Sequence, residues 1–375
     1  MGYKVRFVEP DVHYQRIKQE IDSTMQDVLA KGDLVYRDQL RQFENDLAAY
    51  VGTKFAVGVS SGYHSLHLSL VAAGIGPGDE VIVPAHTFVA SVSAVVHAGA
   101  KPILVDVAKD YNIDVRAVEH AITPKTKAVM PVHLNGRVCD MDQLMTIAEE
   151  HDLIVIEDAA QALGATFNKK DAGSFGLAGC FSFYPFKVLG AYGDAGAVTT
   201  NDEDLAVKIG RLRYNGEDRQ TGEYHYHGYS CLMDNLQAAI LSVKLKHLPN
   251  WLERRGRVAD IYQGELSGLS DLRLPHFMAD KNHDIFQNYV VRTRRRDELV
   301  KHLKSNGVET LIHWPKPMWQ HRGLGLTVDN LPETEAICRE VLSLPINAEI
   351  SDENVEYVTE SIRSFFSGRD RQLDE

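Results

Sequence analysis

The sequence between residues 101 and 160 contains three apolar runs, KPILVDV (101–107), KAVMPVHL (127–134) and DLIVIEDAA (152–160). Each run ends at a polar residue, and longer stretches with helical spacing separate the runs. This alternation is typical of buried parallel strands that are joined by helices on both faces of a sheet. We therefore expect an α/β domain of three layers, α/β/α, with a mostly parallel sheet.

The same alternation extends over residues 34–245 and includes the strand-like FAVGVS (55–60). Beyond it the pattern changes to a charged helix, Leu245–Arg257, two short apolar runs and a last helix. We predict a large domain over residues 1–245 and a smaller α+β domain over residues 246–375. The large domain includes an N-terminal helix, about Asp11–Ala30, whose packing partner the pattern leaves open.

The composition argues against nucleic acid and membrane as partners. The chain has 375 residues, and its 40 Lys and Arg against 52 Asp and Glu give a net charge of −12, which disfavours binding to a phosphate backbone. The N-terminal residues lack the apolar core of a signal peptide, and the most apolar stretch, residues 81–100, is interrupted by Pro84 and His97. The four cysteines show no paired spacing and the 16 histidines form no ligand motif. We expect free thiols, no metal site and a cytoplasmic location.

Polar residues lie where three predicted strands end, which is the edge of an open α/β sheet at which ligands bind. They are Glu157, Asp158 and Gln161, then Ser182 and Lys187, and before a helix Ser60, Ser61 and Gly62. Taken singly, each group has a structural explanation: an Asp after a strand often caps a helix, a lone Lys is often solvated, and Ser-Ser-Gly is a common cap. Lys187, however, lies between Pro185-Phe186 and Val188-Leu189, which is unusual for a solvated lysine. The segment GSFGLAG (173–179) lacks the dinucleotide fingerprint GxGxxG, and we interpret it as a turn.

Together these residues meet the needs of one cofactor, pyridoxal phosphate. That cofactor requires a lysine for a Schiff base, a carboxylate against its pyridinium nitrogen, and a helix N-terminus for its phosphate. Lys187, Asp158 and the Ser-Ser-Gly segment supply these three groups. An ionised Asp158 would keep the ring nitrogen protonated, because a nearby opposite charge favours the cationic form.

The ordered motifs of the chain resemble those of the DegT/DnrJ/StrS sugar aminotransferases, which have the aspartate aminotransferase fold (fold type I) and depend on pyridoxal phosphate. The resemblance runs from about Asp33 to Phe366, nearly the whole chain. The motifs include SSGYHSLHLSL (60–70), GPGDEVIVPAHTFVAS (76–91), GAKPILVDV (99–107), IEDAAQALGA (156–165), FSFYPFKVLGAYGDAGAV (181–198) and GYSCLMDNLQAAIL (228–241).

The resemblance also implies roles for single residues. Lys187 matches the Schiff-base lysine, Asp158 the carboxylate at the pyridine nitrogen, and Gln161 the group near the 3-hydroxyl of the ring. Phe88 matches the aromatic residue that stacks on the ring, although the sequence by itself favours a core position. The remaining assignments are Ser182 and the amides of Gly62 and Tyr63 to the phosphate cup, and Tyr184 and His313 to the sugar. His133 and Asn135 lie at another strand end, where such residues are more often structural.

Three motifs depart from the pattern of the family. Tyr63 stands where the family usually has Thr, so a hydroxyl contact to phosphate is lost while the backbone donors remain. Phe186 and Val188 flank the lysine in place of Gly and Asn. Ser230 and Leu232 replace an Asn and an Arg, and in the family that Asn reaches the phosphate of the cofactor in the neighbouring subunit. We expect these changes to alter cofactor affinity or sugar preference.

The reaction that the resemblance implies is a transamination in two halves, in the biosynthesis of an amino sugar. L-glutamate gives its amino group to the cofactor, and a keto sugar on a nucleoside diphosphate, with its ketone at C3 or C4, then receives it. Lys187 is expected to move the proton between the donor's Cα and the cofactor, which requires a lysine that is able to be neutral. The resemblance also implies a homodimer. The segment EDRQTGEYHYHGYS (217–230) is either the substrate entrance or a solvated loop.

Three other functions deserve comparison with this one. Sugar dehydratases of the same fold carry His in place of the lysine, so Lys187 argues against that activity. A keto-cyclitol, such as a keto-inositol, is compatible with the same motifs as a nucleotide-linked sugar. A non-catalytic regulatory protein of this fold would not need Lys187, Asp158 and Gln161 together.

Overall fold

The computed structural model describes residues 2–275, 281–328 and 330–368, which contain eleven α-helices and fourteen β-strands. The remaining positions of the predicted domains, including both chain ends, lie outside the described residues. The helices are α1 (Pro10–Lys31), α2 (Asp38–Val51), α3 (Gly62–Ala72), α4 (Val89–His97), α5 (Val115–Ala121), α6 (Met141–Glu150), α7 (Glu203–Leu212), α8 (Asn235–Leu266), α9 (Arg296–Ser305), α10 (Pro332–Glu340) and α11 (Asp352–Ser367). The strands are β1 (Phe55–Val59), β2 (Glu80–Pro84), β3 (Lys101–Val105), β4 (Thr126–Val129), β5 (Ile154–Asp158), β6 (Thr166–Phe167), β7 (Lys170–Asp171), β8 (Ala178–Ser182), β9 (Gly196–Thr200), β10 (Glu217–Asp218), β11 (Glu223–Tyr224), β12 (Asn282–His283), β13 (Tyr289–Arg292) and β14 (Val341–Leu344).

Seven of the strands form the central sheet, in the order β1-β9-β8-β5-β4-β2-β3. Strand β9 runs antiparallel to both of its neighbours, and the other pairs are parallel. The three apolar runs that predicted the sheet are β3, β4 and β5. The prediction of a mostly parallel sheet is confirmed.

Successive residues of the sheet strands face two separate hydrophobic clusters, as the alternation of side chains along a strand requires. Ile82, Val129 and Val155 belong to a cluster that also contains side chains of α2, α6 and α8. Their chain neighbours Val81 and Ala128 belong to a second cluster, with side chains of α3, α4 and α7. Helices therefore cover both faces of the sheet, which confirms the predicted three layers.

Helix α8 connects the sheet to a smaller unit built from the later part of the chain. Its residues Leu241, Leu245 and Leu248 pack in the first cluster. Val258 and Tyr262 pack with β13, β14, α9 and α11. The helix is continuous through residue 245, the predicted domain boundary, and contains Pro249 in its interior. The division into domains at that residue remains a prediction.

The N-terminal helix α1 packs against the first half of α8, where Ile17 and Ile21 cluster with Ile240 and Val243. None of the described helices combines the length and the apolar character that crossing a membrane requires. Within the described ranges, no group of three or more His, Cys, Asp or Glu side chains is arranged to hold a metal ion.

Candidate active site

Four sheet strands bring the predicted site residues to one edge of the sheet. Asp158 ends β5, Ser182 ends β8, and Gly62 begins α3 shortly after β1. Phe88 follows β2 and is the N-cap residue of α4. Strands β1, β2, β5 and β8 run in the same direction, because among the seven only β9 is reversed. Their carboxyl ends therefore form the ligand-binding edge expected for this kind of sheet.

Gly62 packs directly on Ser182. A Cβ atom at Gly62 would lie only 2.6 Å from Ser182 Cβ, so a larger residue would push the two elements apart. Ser61 caps α3, and its hydroxyl accepts a hydrogen bond of 3.2 Å from the backbone N–H of His64. The N–H groups of Gly62 and Tyr63 belong to the first turn of α3, which has no intrahelical acceptors for them. A serine hydroxyl beside a helix N-terminus is a suitable cup for a phosphate.

The side chain of Tyr63 turns away from this cup. Its hydroxyl lies 2.6 Å from His97 Nδ1, and its ring stacks on that of His67 with 5.8 Å between centroids. These contacts hold the phenol against side chains of α3 and α4. Tyr63 therefore has only its backbone N–H to offer at the cup, and no hydroxyl replaces that of the Thr usual in the family.

Asp158 is a buried carboxylate with two hydrogen-bond donors. Its Oδ2 accepts a bond of 2.8 Å from Ser91 Oγ, and its Oδ1 accepts one of 3.1 Å from the backbone N–H of Ala160. Burial raises the pKa of Asp158, and the two hydrogen bonds and the charge of Lys187 oppose that rise. Residues 159–165 form turns and no helix, so the alternative that Asp158 caps a following helix is wrong.

Lys187 lies in the loop between β8 and β9, within electrostatic range of Asp158. Burial lowers the pKa of Lys187 to about 8, while the charge of Asp158 acts in the opposite direction. A lysine with this pKa is partly neutral near neutral pH, unlike a solvated one. Lys187 is also only partly exposed, which argues against the explanation of this residue as a solvated surface lysine.

Gln161 and Phe88 are placed differently from ordinary core residues. Gln161 is half-buried, and its Oε1 accepts a hydrogen bond of 2.8 Å from the backbone N–H of Asn135, which fixes the amide and leaves its NH₂ as the donor end. Asn135 adopts a left-handed conformation with φ of 58°, and its Oδ1 accepts a 3.2 Å hydrogen bond from Asn288. Phe88 is 58% exposed, so the core position that the sequence favours for it is wrong. An exposed ring at this edge is available to stack on a flat ligand.

The two candidates for sugar contacts lie on different units. Tyr184 is 49% exposed and meets Phe186 edge to face, with 5.6 Å between ring centroids. His313 lies 2.8 Å from Ser343 Oγ through its Nδ1. Burial lowers the pKa of His313 to about 4, and the positive charge of Lys187 contributes to the shift. His313 is therefore a neutral side chain in the neighbourhood of Lys187.

The other residues that depart from the family pattern differ from one another in exposure and in contacts. Phe186 is 47% exposed, whereas Val188 is buried. Leu232 forms a β-bridge with Val59 and packs on the first cluster, so it replaces the charge of an arginine by a core contact. Ser230 is exposed and forms a β-bridge with Tyr214, and the carbonyl of the next residue, Cys231, accepts a 2.8 Å hydrogen bond from the N–H of Ser60. Most of segment 217–230 is also exposed.

Glu157 and His133 form a buried structural pair. His133 Nε2 donates to Glu157 at 2.8 Å, and both side chains are completely buried. Glu157 also accepts hydrogen bonds of 2.7–2.8 Å from the backbone N–H groups of Gly173, Phe175 and Gly176. Residues 173–177 thus form a turn around this carboxylate, as the sequence predicts, whereas Ala178 and Gly179 of the predicted turn already belong to β8. The contacts of His133 are structural, as its sequence position suggests.

Two residues at the site are not predicted from the sequence. Ser91, the donor to Asp158, lies three positions after Phe88 in the first turn of α4, and that spacing is a signal that was present in the sequence. Gln287 bonds to the peptide groups on both sides of Lys187. It lies 100 residues further along the chain, and no local pattern connects the two.

The assembled groups define a class of enzyme, the pyridoxal phosphate-dependent aminotransferases. A partly neutral lysine, a buried carboxylate, an exposed aromatic ring and a glycine–serine cup at a helix N-terminus are the groups that this cofactor needs. The residues present fit the cofactor.

Comparison with known proteins agrees with this class. The chain belongs to the DegT/DnrJ/EryC1/StrS aminotransferase family, whose sequence model matches residues 15–363. The predicted family, the fold class, the enzyme class and the cofactor pyridoxal phosphate are confirmed.

Three relatives illustrate the range of the family. The dTDP-3-amino-3,4,6-trideoxy-alpha-D-glucose transaminase of Streptomyces venezuelae is 40% identical, over 96% of this chain and 96% of the relative. The crystal structure of S. venezuelae DesV in complex with a ketimine intermediate has a TM-score of 0.94 at 40% identity, and the match covers 98% of this chain and 99% of that one. A pleiotropic regulatory protein of Geobacillus stearothermophilus is 41% identical, over 94% of this chain and 96% of the relative.

Proposed function

We propose that this protein transfers the amino group of L-glutamate to a keto sugar carried on a nucleoside diphosphate, with Lys187 as the Schiff-base lysine. The observation that carries the proposal is the pairing of Lys187, whose pKa is lowered to about 8, with the buried carboxylate of Asp158 at the ligand-binding edge of the sheet. When bound, pyridoxal phosphate supplies a ring that withdraws electrons from the amino carbon of the donor.

Different residues of the chain hold the cofactor and move protons. The N–H groups of Gly62 and Tyr63, with the hydroxyl of Ser182, hold the phosphate. Asp158 keeps the pyridine nitrogen protonated, since its negative charge favours the cationic ring. Lys187 takes the proton from the donor's Cα, because a neutral amine is available as a base at physiological pH.

Two further residues orient the ring. Phe88 packs on one face of it, and its exposure supports this role because the ring is not committed to the protein core. Gln161 points its NH₂ toward the 3-hydroxyl side, since its carbonyl oxygen is already bonded to the backbone of Asn135.

The proposal for the sugar substrate is inferred from what the relatives are named for. The S. venezuelae enzyme described above is named for a dTDP-linked amino sugar, and a further relative for a UDP-linked 3-oxo sugar. We infer a substrate of the same chemical class, with Tyr184 and His313 beside the sugar. The neutral state of His313 suits hydrogen bonding to sugar hydroxyls rather than binding to an anion.

We also propose that the enzyme works as a cytoplasmic homodimer. Large aromatic side chains are exposed close to Lys187 and in segment 217–230, among them Tyr184, Phe186 and Tyr224, which is 66% exposed. Exposed aromatic groups beside a site are typical of surfaces that a second subunit covers. In such a dimer Ser230 would face the phosphate of the neighbouring subunit's cofactor and offer a hydroxyl in place of the usual amide.

An absorption spectrum of the purified protein with added pyridoxal phosphate tests the proposal. We expect a visible band of lysine-bound cofactor that L-glutamate converts to the shorter-wavelength band of the pyridoxamine form. Nucleotide-linked 3-keto and 4-keto hexoses, with a keto-inositol as the competing substrate class, are then added to the pyridoxamine form. Return of the visible band with the inositol alone would replace the sugar by a cyclitol. Failure to form the first band would favour a regulatory protein.

A further inference from the structure

The side-chain amide of Gln287 bonds to the backbone on both sides of Lys187. Its Oε1 accepts a hydrogen bond of 2.9 Å from the N–H of Val188, and its Nε2 donates one of 3.1 Å to the carbonyl of Phe186. The two peptide groups that flank Lys187 are therefore bound to one planar side chain. A pair of bonds in this geometry fixes both the position of the Lys187 Cα and the direction in which its side chain leaves the backbone.

Gln287 is itself held rigidly. It is 8% exposed and lies in the short segment between β12 and β13. Arg255, a buried side chain of α8, donates 2.8 Å and 3.1 Å hydrogen bonds to the carbonyls of Phe286 and Ile346. On the other side the segment touches Gly136, where a Cβ atom would come within 2.8 Å of the Gln287 backbone nitrogen. The backbone around Gln287 is therefore fixed, and its side-chain amide can hold the loop in place.

Other contacts to the same loop act at a distance from Lys187. Lys244 donates a 2.6 Å hydrogen bond to the carbonyl of Gly190, and Gln237 accepts one of 2.9 Å from the N–H of Tyr192. These bonds lie three and five residues downstream of Lys187. Gln287 differs from them because it bonds to the peptide groups that Lys187 itself shares.

We propose that Gln287 is a positioning residue that aims the Lys187 amine at the cofactor carbonyl, and that it acts on this one amine rather than on cofactor binding in general. The inference rests on the proposed role of Lys187. Misplacement of a reacting group by about 1 Å is enough to slow a reaction by roughly a hundredfold. Loss of the Gln287 amide should therefore slow every step in which the amine attacks, while the phosphate cup and the ring contacts stay intact.

The test compares two ligands that share a site but differ in their need for the lysine. Pyridoxal phosphate reacts with the amine, and its capture is followed by the rise of the visible band. Pyridoxamine phosphate binds without reacting, and its Kd is measured by fluorescence. Both are measured with the 375-residue chain freed of cofactor, as wild type, Gln287→Met, Gln287→Glu and the control Gln237→Met. Gln287→Met keeps the side-chain length and removes both hydrogen bonds.

We expect Gln287→Met to capture pyridoxal phosphate about tenfold to a hundredfold more slowly than wild type, with an unchanged Kd for pyridoxamine phosphate. Gln287→Glu keeps an acceptor for Val188 but loses the donor to Phe186, and its negative charge should move the pH midpoint of capture upward. Gln237→Met should behave as wild type. The proposal is overturned if Gln287→Met captures at the wild-type rate, or if capture and pyridoxamine binding weaken in parallel.

The role of Lys187 is checked separately in the wild type. Borohydride reduction of the protein loaded with pyridoxal phosphate fixes the cofactor covalently on its lysine. Peptide mapping should then find this cofactor label on Lys187. A label elsewhere would refute the proposed function. A label on Lys187 with normal capture by the Gln287 variants would refute only the positioning role.

Discussion

Ser91 Oγ donates a 2.8 Å hydrogen bond to Asp158 Oδ2, and so ties the first turn of α4 to the end of β5. The same turn begins at Phe88, so one helix end presents both the proposed ring-stacking residue and the donor to the proposed ring-nitrogen carboxylate. Thr87 lies 2.9 Å from the same serine hydroxyl and helps to orient it. The bond favours the ionised carboxylate, against the burial that raises its pKa.

Replacement of this serine should weaken the acid–base chemistry without removing the cofactor. In Ser91→Ala the pKa of Asp158 rises further, because a bond to its charged form is lost, and the cofactor ring is less fully protonated. We expect kcat to fall about tenfold, the order of one hydrogen bond to a charged group. Steady-state kinetics measure it. Ser93→Ala, on the same helix, is the matched control, and equal effects in both variants would contradict the argument.

Removal of the lysine should abolish turnover altogether. Lys187→Ala loses both the amine that binds the cofactor and the base that moves the proton. The variant should still bind pyridoxamine phosphate, which shows that the fold is intact. Turnover of Lys187→Ala at the wild-type rate would refute the assignment of this residue.

Asp158→Asn should lower kcat about a hundredfold or more, since a neutral amide no longer holds the ring cationic.

The pKa of Lys187 predicts how capture of pyridoxal phosphate depends on pH. Only the neutral amine attacks, and burial lowers its pKa to about 8. The capture rate should therefore rise with pH through about 8 and level off above it, instead of rising on toward the usual 10.5 of a lysine. Stopped-flow measurement of the visible band between pH 6 and pH 10, with the protein folded throughout, gives the midpoint. A midpoint near that of free lysine would mean that the amine is solvated.

Much of the site was predictable because its chemistry follows directly after sheet strands. Asp158 and Ser182 end apolar runs that are visible in the sequence, and Lys187 lies in a loop between two such runs. The topology of a parallel sheet then brings these ends together. Phe88 was misjudged by residue type alone, since an aromatic residue is usually buried, and the resemblance to the family placed it correctly outside the core.

The start of one helix differs from the prediction for a physical reason. The sequence pattern predicts a charged helix from Leu245, whereas α8 already begins at Asn235. Its first turns are buried between α1, α2 and the sheet, so apolar residues surround the axis and no amphipathic period is visible. Pro249 also suggests a break that the packing of the helix on both sides overrides. Gln287 was not predictable because its contact with Lys187 is purely tertiary.

The buried pair of Glu157 and His133 should contribute to stability rather than to turnover. In Glu157→Gln an NH₂ group replaces one carboxylate oxygen and faces backbone N–H groups of the 173–176 turn, so at least one buried donor loses its partner. We expect the free energy of unfolding to fall by about 2–4 kcal/mol. Urea unfolding followed by circular dichroism measures it. Glu149→Gln, on the surface of α6, is the control; a loss of kcat without loss of stability would instead place Glu157 in the chemistry.

The orientation of Tyr63 leads to a gain-of-affinity prediction. Its phenol is bonded to His97 and stacked on His67, so the cup lacks the hydroxyl that a threonine at this position would supply. Tyr63→Thr should place a hydroxyl on the first turn of α3, beside the N–H groups proposed to hold the phosphate. One additional hydrogen bond to a phosphate corresponds to about 1–2 kcal/mol, so the Kd of pyridoxamine phosphate should fall about fivefold to thirtyfold.

A control separates the new hydroxyl from the loss of the aromatic contacts. His97→Ala breaks the bond to the phenol but adds nothing to the cup, and Tyr63→Val matches the shape of threonine without its hydroxyl. We expect tighter binding in Tyr63→Thr alone, measured by fluorescence titration at fixed ionic strength. If Tyr63→Val binds as tightly as Tyr63→Thr, the gain comes from release of the ring packing, and the phosphate does not lie against the first turn of α3.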